Sequence, residues 1–269
     1  MKIKWRWIAA ALALAVLLVT PASAAAQRLS VNGRDLWKQA GTYMVNGTTY
    51  VSLRTMAEVL APKAAVSWSG GAAHIKGSGV EVTAVPGQNY LTFNDRAVYI
   101  PDGVRLVSGR VMVPVRAIAK ALGGTVDWSA KSGVTVTPGN GRPGKTPYTA
   151  DELYWMSRII SAESRGEPLK GKVAVGTVVL NRVASGEFPN DVKSVIFDTK
   201  FGAQFTPAAN GTIYNEPTAE SVLAARMVLD GGREAGDSLY FIAPSLTSNR
   251  WVMENRPYVT TIGVHWFYR

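Results

Sequence analysis

A pair of similar segments in the first half of the chain limits its fold more than any other feature of the sequence. Residues 44–54 read MVNGTTYVSLR, and residues 106–116 read LVSGRVMVPVR. Each predicts two short strands joined by a tight turn, because Asn-Gly and Ser-Gly pairs favour hairpin turns. A helix is predicted next in each copy, over 53–60 and 115–122, followed by a strand with a Trp-Ser pair. The duplicated unit predicts a β-rich α+β module over residues 28–138.

A segment rich in glycine and proline separates this module from the rest of the chain. Six of the ten residues at 138–147 are Gly or Pro, and no apolar periodicity runs through them. We therefore predict a linker at 139–148 and a second domain at 149–269. Apolar residues recur at helical spacing in that domain, and its first helix opens with a capping box of Thr149 and Glu152. The second domain is predicted to be mainly α.

Residues 1–26 have the pattern of a secretory signal peptide. Three basic residues precede an apolar run at 8–19, and small residues at 22–24 supply a cleavage pattern. The apolar run is short for a membrane span, although an uncleaved anchor is the alternative interpretation. Both interpretations place the protein outside the cytoplasm, so we predict that it is secreted.

Positive charge is concentrated in the first module. The chain has a formal net charge of +10, of which residues 28–146 carry +8, whereas residues 147–269 carry −1. A basic module favours an anionic polymer as its partner, and general solubility is the alternative interpretation. Export argues against nucleic acid as that partner.

The chain lacks the side chains that many metal and nucleophile sites require. It has no cysteine, and its two histidines, His74 and His265, are far apart in the sequence. We therefore predict no disulfide framework, no Cys-rich or His-rich metal site and no cofactor. His265 leaves a Ser-His-Asp triad as a weak alternative, since a lone histidine is usually structural.

Glu163 lies where a predicted apolar helix ends. The helix is predicted to stop just after it, with Gly166 in a left-handed cap and Pro168 unable to continue. The negative end of the helix dipole and apolar neighbours such as Ile159 would both raise the pKa of Glu163, which a proton donor requires. Pairing with Arg165 would lower that pKa, and a solvated charge at the helix end is the alternative.

The segments VNGTTYVSLRTMAEVLA and VSGRVMVPVRAIAKALGGTVDW resemble the copper amine oxidase N-terminal-like domain. The resemblance covers residues 28–138 and implies a non-catalytic stalk or wall-association module. It does not imply copper, because this segment has one histidine and no cysteine. Trp68 and Trp128 occupy equivalent places in the two copies, which predicts matched core positions. Stacking of these rings on sugars is the alternative.

Several blocks of the second domain resemble the SleB-type cell-wall hydrolases, a family of spore cortex-lytic enzymes. They are AESRGEP at 162–168, GKVAVG at 171–176, VLNR at 179–182, QFTP at 204–207 and IGVHWF at 262–267. The resemblance implies a catalytic domain similar to lysozyme and lytic transglycosylases. It also implies that Glu163 is the catalytic acid.

The chemistry that this resemblance implies uses one acid. Glu163 would protonate the oxygen between N-acetylmuramic acid and N-acetylglucosamine, and then accept a proton from the muramyl 6-hydroxyl. The product would be a 1,6-anhydro sugar. Glu167 is expected to modulate Glu163 rather than to act as a nucleophile, and Arg165 is a second candidate modulator. The candidate substrate-binding residues are Gln204, Phe205, Thr206, Asn210 and Tyr240, whereas Trp251 is expected in the core.

The sequence therefore predicts an exported peptidoglycan-degrading enzyme of the cell wall or spore envelope. A lytic transglycosylase acting on spore cortex or cell wall is the favoured reading. Peptidoglycan is its expected partner, and residues 28–138 are expected to contact anionic wall polymers. Two alternatives stay open: a hydrolytic muramidase that uses the same acid, and a non-catalytic wall-binding protein.

Overall fold

The chain has two structural parts of different composition. The computed structural model describes residues 28–77, 79–200, 202–247 and 250–269, so the predicted signal peptide lies outside the described residues. Strands dominate up to residue 137, and helices dominate from residue 150 onwards. This confirms a β-rich N-terminal region followed by a helical C-terminal domain. None of the described helices is both long enough and apolar enough to cross a membrane.

The N-terminal region consists of short strands with two helices. Its strands are β1 (Leu29–Val31), β2 (Arg34–Asp35), β3 (Tyr43–Val45), β4 (Thr48–Ser52), β5 (Ala65–Ser69), β6 (Ala72–Gly77), β7 (Val80–Ala84), β8 (Tyr90–Phe93), β9 (Arg96–Tyr99), β10 (Arg105–Val107), β11 (Arg110–Pro114), β12 (Thr125–Ser129) and β13 (Gly133–Thr137). Helices α1 (Leu53–Leu60) and α2 (Val115–Ala121) follow β4 and β11. The strands form three sheets, in the orders β12-β13-β1-β2, β10-β11-β4-β3 and β5-β6-β7-β8-β9. Apolar side chains from these sheets and both helices share one core.

The two predicted hairpin turns are present in this region. Asn46 and Gly47 have φ angles of 45° and 77°, and Ser108 and Gly109 have φ angles of 50° and 74°. Two consecutive residues with positive φ match the right-handed twist of the flanking strands, which is why Asn-Gly pairs are favoured here. The turns set the pairing of β3 with β4 and of β10 with β11.

The prediction that Trp68 and Trp128 are core residues is wrong. Their side chains are 52% and 59% exposed. The reason is the order of the sheets, because β5 and β12 are edge strands. Both edge strands leave most of their residues in solvent, and only the valine at the second position of each is partly buried. Equivalent positions in the two copies therefore share exposure rather than burial.

The C-terminal domain is built on three packed helices. Its helices are α3 (Ala150–Ser164), α4 (Leu169–Ala184), α5 (Val192–Ile196), α6 (Thr206–Asn210), α7 (Ala219–Leu229) and α8 (Trp251–Asn255), with a 3-10 turn at Thr212–Tyr214. Strands β14 (Tyr240–Ile242), β15 (Tyr258–Ile262) and β16 (His265–Tyr268) form a sheet in the order β14-β16-β15. Gly176 on α4 allows close packing, since a Cβ there would lie 2.9 Å from Ile160 and 3.0 Å from Val228. The contact joins α4 to α3 and α7.

Helix α3 begins and ends where predicted, but the predicted left-handed cap at its C-terminus is absent. The Thr149 hydroxyl accepts a hydrogen bond from the Glu152 backbone amide, and the Glu152 carboxylate accepts one from Thr149, which completes the capping box. At the other end, Gly166 does not adopt a left-handed conformation. Instead the Glu167 amide donates to the Ser164 carbonyl at 3.0 Å. This tight turn leads into α4 after Pro168.

The segment predicted to be a linker is packed against the N-terminal region. The Nη1 atom of Arg96 donates a hydrogen bond to the carbonyl of Gly144 at 2.9 Å. Gly139 lies so close to Gly123 that a Cβ atom would overlap the Gly123 carbonyl, and a Cβ atom at Gly141 would lie 3.2 Å from the Leu60 carbonyl at the end of α1. Glycines in this segment therefore permit close approach of the backbone, in addition to supplying turns.

A buried ion pair joins the two parts of the chain. The Arg96 guanidinium on β9 donates to the Asp230 carboxylate, with distances of 2.8 Å from Nε and 2.5 Å from Nη2. Tyr99 adds a hydrogen bond to Glu234 at 2.9 Å. Ala97 and Tyr99 also pack into the apolar core of the helical domain. Strand β9 thus belongs to a sheet of the first part while it completes the core of the second.

Candidate active site

Glu163 sits in the last turn of α3 with its side chain half-buried. Ile159 and Ile160, one turn earlier, are fully buried and anchor this end of the helix in the core. Burial raises the pKa of Glu163 from 4.5 to about 7, and the opposing effect of the Arg182 charge is smaller. Among the described residues, none donates a hydrogen bond to its carboxylate. The carboxyl group is therefore protonated in a large fraction of molecules at neutral pH.

Arg182 is the cation that acts on Glu163. It lies on α4 and is only 4% exposed. Its Nε donates to the Leu239 carbonyl at 2.7 Å, whereas its Nη1 is buried without a partner among the described residues. Burial lowers the pKa of Arg182 to about 10, and the nearby groups Tyr240, Asp198 and Glu163 oppose that effect. The guanidinium remains charged at neutral pH and favours the ionised form of Glu163.

Aromatic rings surround the Arg182 guanidinium. Its central carbon lies 4.9 Å from the ring centroids of Phe188 and Phe205 and 5.5 Å from that of Tyr240. Such cation–π contacts hold a cation in an environment that contains little water. They explain how α4 can keep an arginine on a buried face.

A cavity of about 690 Å³ opens next to this cluster. Arg182 links the cavity to Glu163, because it lines the cavity and interacts electrostatically with that carboxyl group. The side chain of Trp251, expected in the core, is half-exposed and also lines the cavity, so that expectation is wrong. Arg256 lies over the Tyr240 ring at 4.6 Å and over the Trp251 ring at 5.4 Å. A wall of aromatic rings and guanidinium groups is well suited to sugars that carry acidic substituents.

The predicted substrate-binding residues are divided between the cavity and its surroundings. Gln204 and Tyr240 line the cavity. Phe205 is only 2% exposed and packs beneath it, so its ring supports the wall and is not presented to a ligand. Thr206 and Asn210 are exposed on α6 outside the cavity lining. The Asn210 side chain accepts hydrogen bonds from the backbone amide and the hydroxyl of Thr212, and so stabilises the turn after α6.

The two candidate modulators do not touch the Glu163 carboxylate in the described structure. Arg165 is exposed and donates from Nη2 to the Glu216 carbonyl at 3.4 Å, so the pairing that would lower the pKa of Glu163 is not formed. The Oε2 atom of Glu167 accepts a hydrogen bond from the Val264 amide at 3.1 Å. Glu167 therefore connects the turn between α3 and α4 to the turn between β15 and β16.

Two glycines, Gly171 and Gly263, leave the space that the Glu167 side chain occupies. A Cβ atom at Gly263 would overlap Oε2 of Glu167, and one at Gly171 would lie 3.0 Å from the Glu167 Cβ. Gly263 also has a φ of 60°, which other residues rarely adopt. His265 Nδ1 lies 3.9 Å from Glu167 Oε2, and burial lowers the pKa of His265 more than Glu167 raises it. His265 is thus a buried, mainly neutral side chain that packs at 5.2 Å against Phe241.

Sequence reasoning did not assign a role to Arg182 or Arg256, and it named Asp198 only as a carboxylate that folding could bring to the site. A signal for Arg182 was available, because it follows Val175 and Val179 at helical spacing and so falls on the buried face of α4. An arginine on an apolar face requires a partner or a function. The other two residues come from segments distant in sequence, and their approach to Arg182 or to the cavity depends on the tertiary structure.

Comparison with known proteins finds a similar family for each part of the chain. Residues 166–268 match the Cell Wall Hydrolase family, and residues 30–137 match the Copper amine oxidase N-terminal domain. Glu163 lies three residues before the matched range of this hydrolase domain.

Several relatives of the C-terminal part are named spore cortex-lytic enzymes. Over 120 residues it is 38% identical to the spore cortex-lytic enzyme of Bacillus cereus, and the match covers 45% of each protein. It is 35% identical to the spore cortex-lytic enzyme of Oceanobacillus iheyensis, over 42% of that protein. The chain thus matches less than half the length of these relatives. A solved structure, the catalytic domain of the germination-specific lytic transglycosylase SleB from Bacillus anthracis, aligns at 36% identity and a TM-score of 0.43, covering 47% of this chain and 100% of that one.

Proposed function

We propose that this chain is an exported enzyme that cleaves the bond between N-acetylmuramic acid and N-acetylglucosamine in peptidoglycan, with Glu163 as its acid. The observation that carries the proposal is a half-buried glutamate whose pKa is raised by burial and which interacts with Arg182, a residue of a cavity lined by aromatic side chains. The relatives named spore cortex-lytic enzymes support cortex or cell-wall peptidoglycan as the substrate. The setting would be spore formation or germination.

The first step is proton donation by Glu163. Its proton passes to the glycosidic oxygen, the bond from that oxygen to the anomeric carbon of muramic acid breaks, and the bonding electrons stay with the leaving oxygen. Positive charge develops on the muramyl ring as the bond lengthens. The Arg182 charge stabilises the glutamate carboxylate that this step leaves behind. A pKa of about 7 suits a group that must give up a proton and regain it.

The second step returns the proton. The Glu163 carboxylate takes the proton of the muramyl 6-hydroxyl, whose oxygen bonds to the anomeric carbon and closes a 1,6-anhydro ring. No second carboxylate is required, which agrees with the placement of Glu167 in a structural contact with Val264. Attack by water in place of the 6-hydroxyl would make the enzyme a hydrolytic muramidase with the same acid.

Sugar binding is assigned to the cavity wall. Tyr240 and Trp251 would stack on pyranose rings, and Gln204 would bond to acetamido or hydroxyl groups. Thr206 and Asn210 on α6 would contact a longer strand outside the cavity. Arg165 and Glu167 would influence Glu163 only indirectly, the latter by fixing the turn that follows α3.

The N-terminal region is proposed to associate with the wall. Residues 28–138 would form a duplicated module, residues 139–148 the connection, and residues 149–269 a catalytic domain like those of lysozyme and lytic transglycosylases. The basic charge of residues 28–146 favours anionic wall polymers as its partners. Residues 1–26 would direct export and then be removed.

The reaction type is tested by analysing the products. Purified peptidoglycan is incubated with the enzyme, and the soluble fragments are examined by mass spectrometry. Muropeptides with 1,6-anhydro ends, lighter by one water than reducing ends, are expected. Reducing ends would identify a muramidase, and the absence of soluble fragments would leave the non-catalytic wall-binding alternative.

Replacing Arg182 by glutamine is expected to move the alkaline limb of the pH profile of kcat/KM to higher pH. The charge of Arg182 lowers the pKa of Glu163, so its removal lets the glutamate hold its proton at higher pH. The profile is measured as release of dyed peptidoglycan fragments between pH 5 and 9. Arg165→Gln is the matched control, because that guanidinium is close in sequence but contacts Glu216 instead. An unshifted limb in Arg182→Gln would contradict the assignment.

A further inference from the structure

Two grooves of similar composition lie in the N-terminal region. The Trp68 groove has a volume of about 520 Å³ and is lined by Trp68, Arg54, Leu106 and Arg110 among others. The Trp128 groove has a volume of about 630 Å³, and its lining residues include Trp128, Arg116, Met44 and Arg28. Each groove thus combines an exposed tryptophan, an exposed apolar side chain (Met44 or Leu106) and two arginines.

The residues of the two grooves correspond through the internal repeat. Met44 corresponds to Leu106, Arg54 to Arg116 and Trp68 to Trp128 in the two similar segments. Each groove takes its hairpin from one copy and its helix and tryptophan strand from the other. The grooves are therefore related sites built by exchange between the copies, although the second arginine of each, Arg110 or Arg28, has no arginine counterpart in the repeat.

The pairing of the central strands explains this exchange. Strands β4 and β11 run antiparallel in the middle of one sheet, and Val51 pairs with Val113. These two valines are themselves equivalent in the repeat, so an approximate two-fold axis passes between them. The axis places the Trp68 groove and the Trp128 groove in matching positions on the two sides of the pair.

The charged and aromatic side chains that line the grooves indicate the class of ligand that they bind. No Asp or Glu is among the described residues that line either groove. Neither indole contacts an aromatic ring or a cation among the described residues, and about half of each tryptophan side chain is exposed to solvent. An open indole face suits the apolar face of a pyranose ring, and arginine pairs with carboxylates. The ligand class is therefore a glycan with acidic substituents.

We propose that the two grooves are equivalent binding subsites for peptidoglycan glycan strands, whose sugars stack on Trp68 and Trp128 and whose peptide carboxylates pair with the flanking arginines. The choice of peptidoglycan rests on the function proposed for the catalytic domain. Binding at two subsites raises the affinity for a polymer above that of either subsite, since the second contact is intramolecular. The grooves do not depend on Glu163, so binding and cleavage can be measured separately.

The experiment measures binding by a protein that does not cleave. Full-length Glu163→Gln protein is mixed with peptidoglycan sacculi from which phosphate-linked polymers have been removed with hydrofluoric acid, and bound protein is quantified by cosedimentation. Trp68→Ala and Trp128→Ala are each expected to weaken binding about fivefold, and the double variant about 25-fold. Lys131→Ala, an exposed lysine outside both grooves, and Trp266→Ala, an aromatic residue of the C-terminal sheet, are expected to change binding less than about twofold.

Each outcome decides the proposal. Unchanged binding by the double variant, with an unchanged circular dichroism spectrum, would overturn it. Loss in only one single variant would overturn the equivalence of the grooves. Binding that requires intact phosphate-linked polymers would show that the occupant is a phosphate polymer and not the glycan strand. Failure of the wild-type protein to release muropeptides would instead count against the proposed catalytic function, whatever the binding results.

Discussion

Glu163→Gln is expected to lower the release of muropeptides from purified peptidoglycan by at least about a hundredfold, because glutamine cannot donate the proton that the leaving sugar needs. The change keeps the size of the side chain and removes no hydrogen bond among the described residues. The measurement is the rate of loss of turbidity of a sacculus suspension, with chromatography of the soluble fragments. Glu167→Gln is a matched control, for which a smaller loss is expected, because Glu167 contacts Val264. Full activity of Glu163→Gln would refute the assignment.

The same variant is expected to be more stable than the wild type at alkaline pH. The folded-state pKa of Glu163 is about 7, above its ordinary value of 4.5, so the folded state binds this proton more tightly than the unfolded state. That contribution to stability is complete below pH 4.5 and is lost as the pH rises through 7. Glutamine does not titrate, so Glu163→Gln should gain up to about 3 kcal/mol over the wild type by pH 8. Thermal unfolding at pH 4 and pH 8 tests this. An equal gain at both values would contradict the raised pKa.

Asp230→Ala is expected to lower the free energy of unfolding by about 3–5 kcal/mol, because it leaves the buried Arg96 guanidinium without its counter-ion. Lys120 Nζ, 2.8 Å from the same carboxylate, would lose its partner as well. Urea denaturation followed by circular dichroism measures the effect. We also expect the single transition to divide into two, since the ion pair connects the two parts of the chain.

An exposed ion pair provides the matched control for Asp230. Lys76 and Glu81 lie 3.5 Å apart on neighbouring strands, and both side chains are largely in solvent. Glu81→Ala should change the free energy of unfolding by less than about 1 kcal/mol. A loss for Asp230→Ala no larger than that of the control would mean that the interface between the two parts does not depend on this pair.

Local features of the sequence predicted the local features of the structure. The positive φ angles of Asn46 and Ser108, the capping box at Thr149 and the extents of the main helices follow from interactions over a few residues. The raised pKa of Glu163 was also predictable, because the helix end and its apolar neighbours lie next to it in sequence. The turns and the capping box are determined by nearby residues, whereas burial and the Arg182 charge on α4 set the size of the pKa shift of Glu163.

Features that depend on tertiary contacts could not be predicted in this way. Trp68 and Trp128 are exposed because their strands lie at sheet edges, and the strand order is not encoded within either strand. Phe205 lies beneath the cavity because α4 brings Arg182 over its ring. The segment at 139–148 has the composition of a flexible linker, yet Arg96 and neighbouring glycines hold it in place. In each case a contact between distant parts of the chain determined the outcome.

The packing of that segment has a consequence for the lengths of the products. A catalytic domain on a free tether would cut a strand at random distances from the point where the strand is held. In this protein the Arg96–Asp230 pair and the shared core around Tyr99 hold the part with the Trp128 groove against the part with the cavity. A strand held in the groove would therefore be cut within a limited range of sugars from that point. The products would then have a narrower range of lengths than those of an enzyme whose two parts move independently.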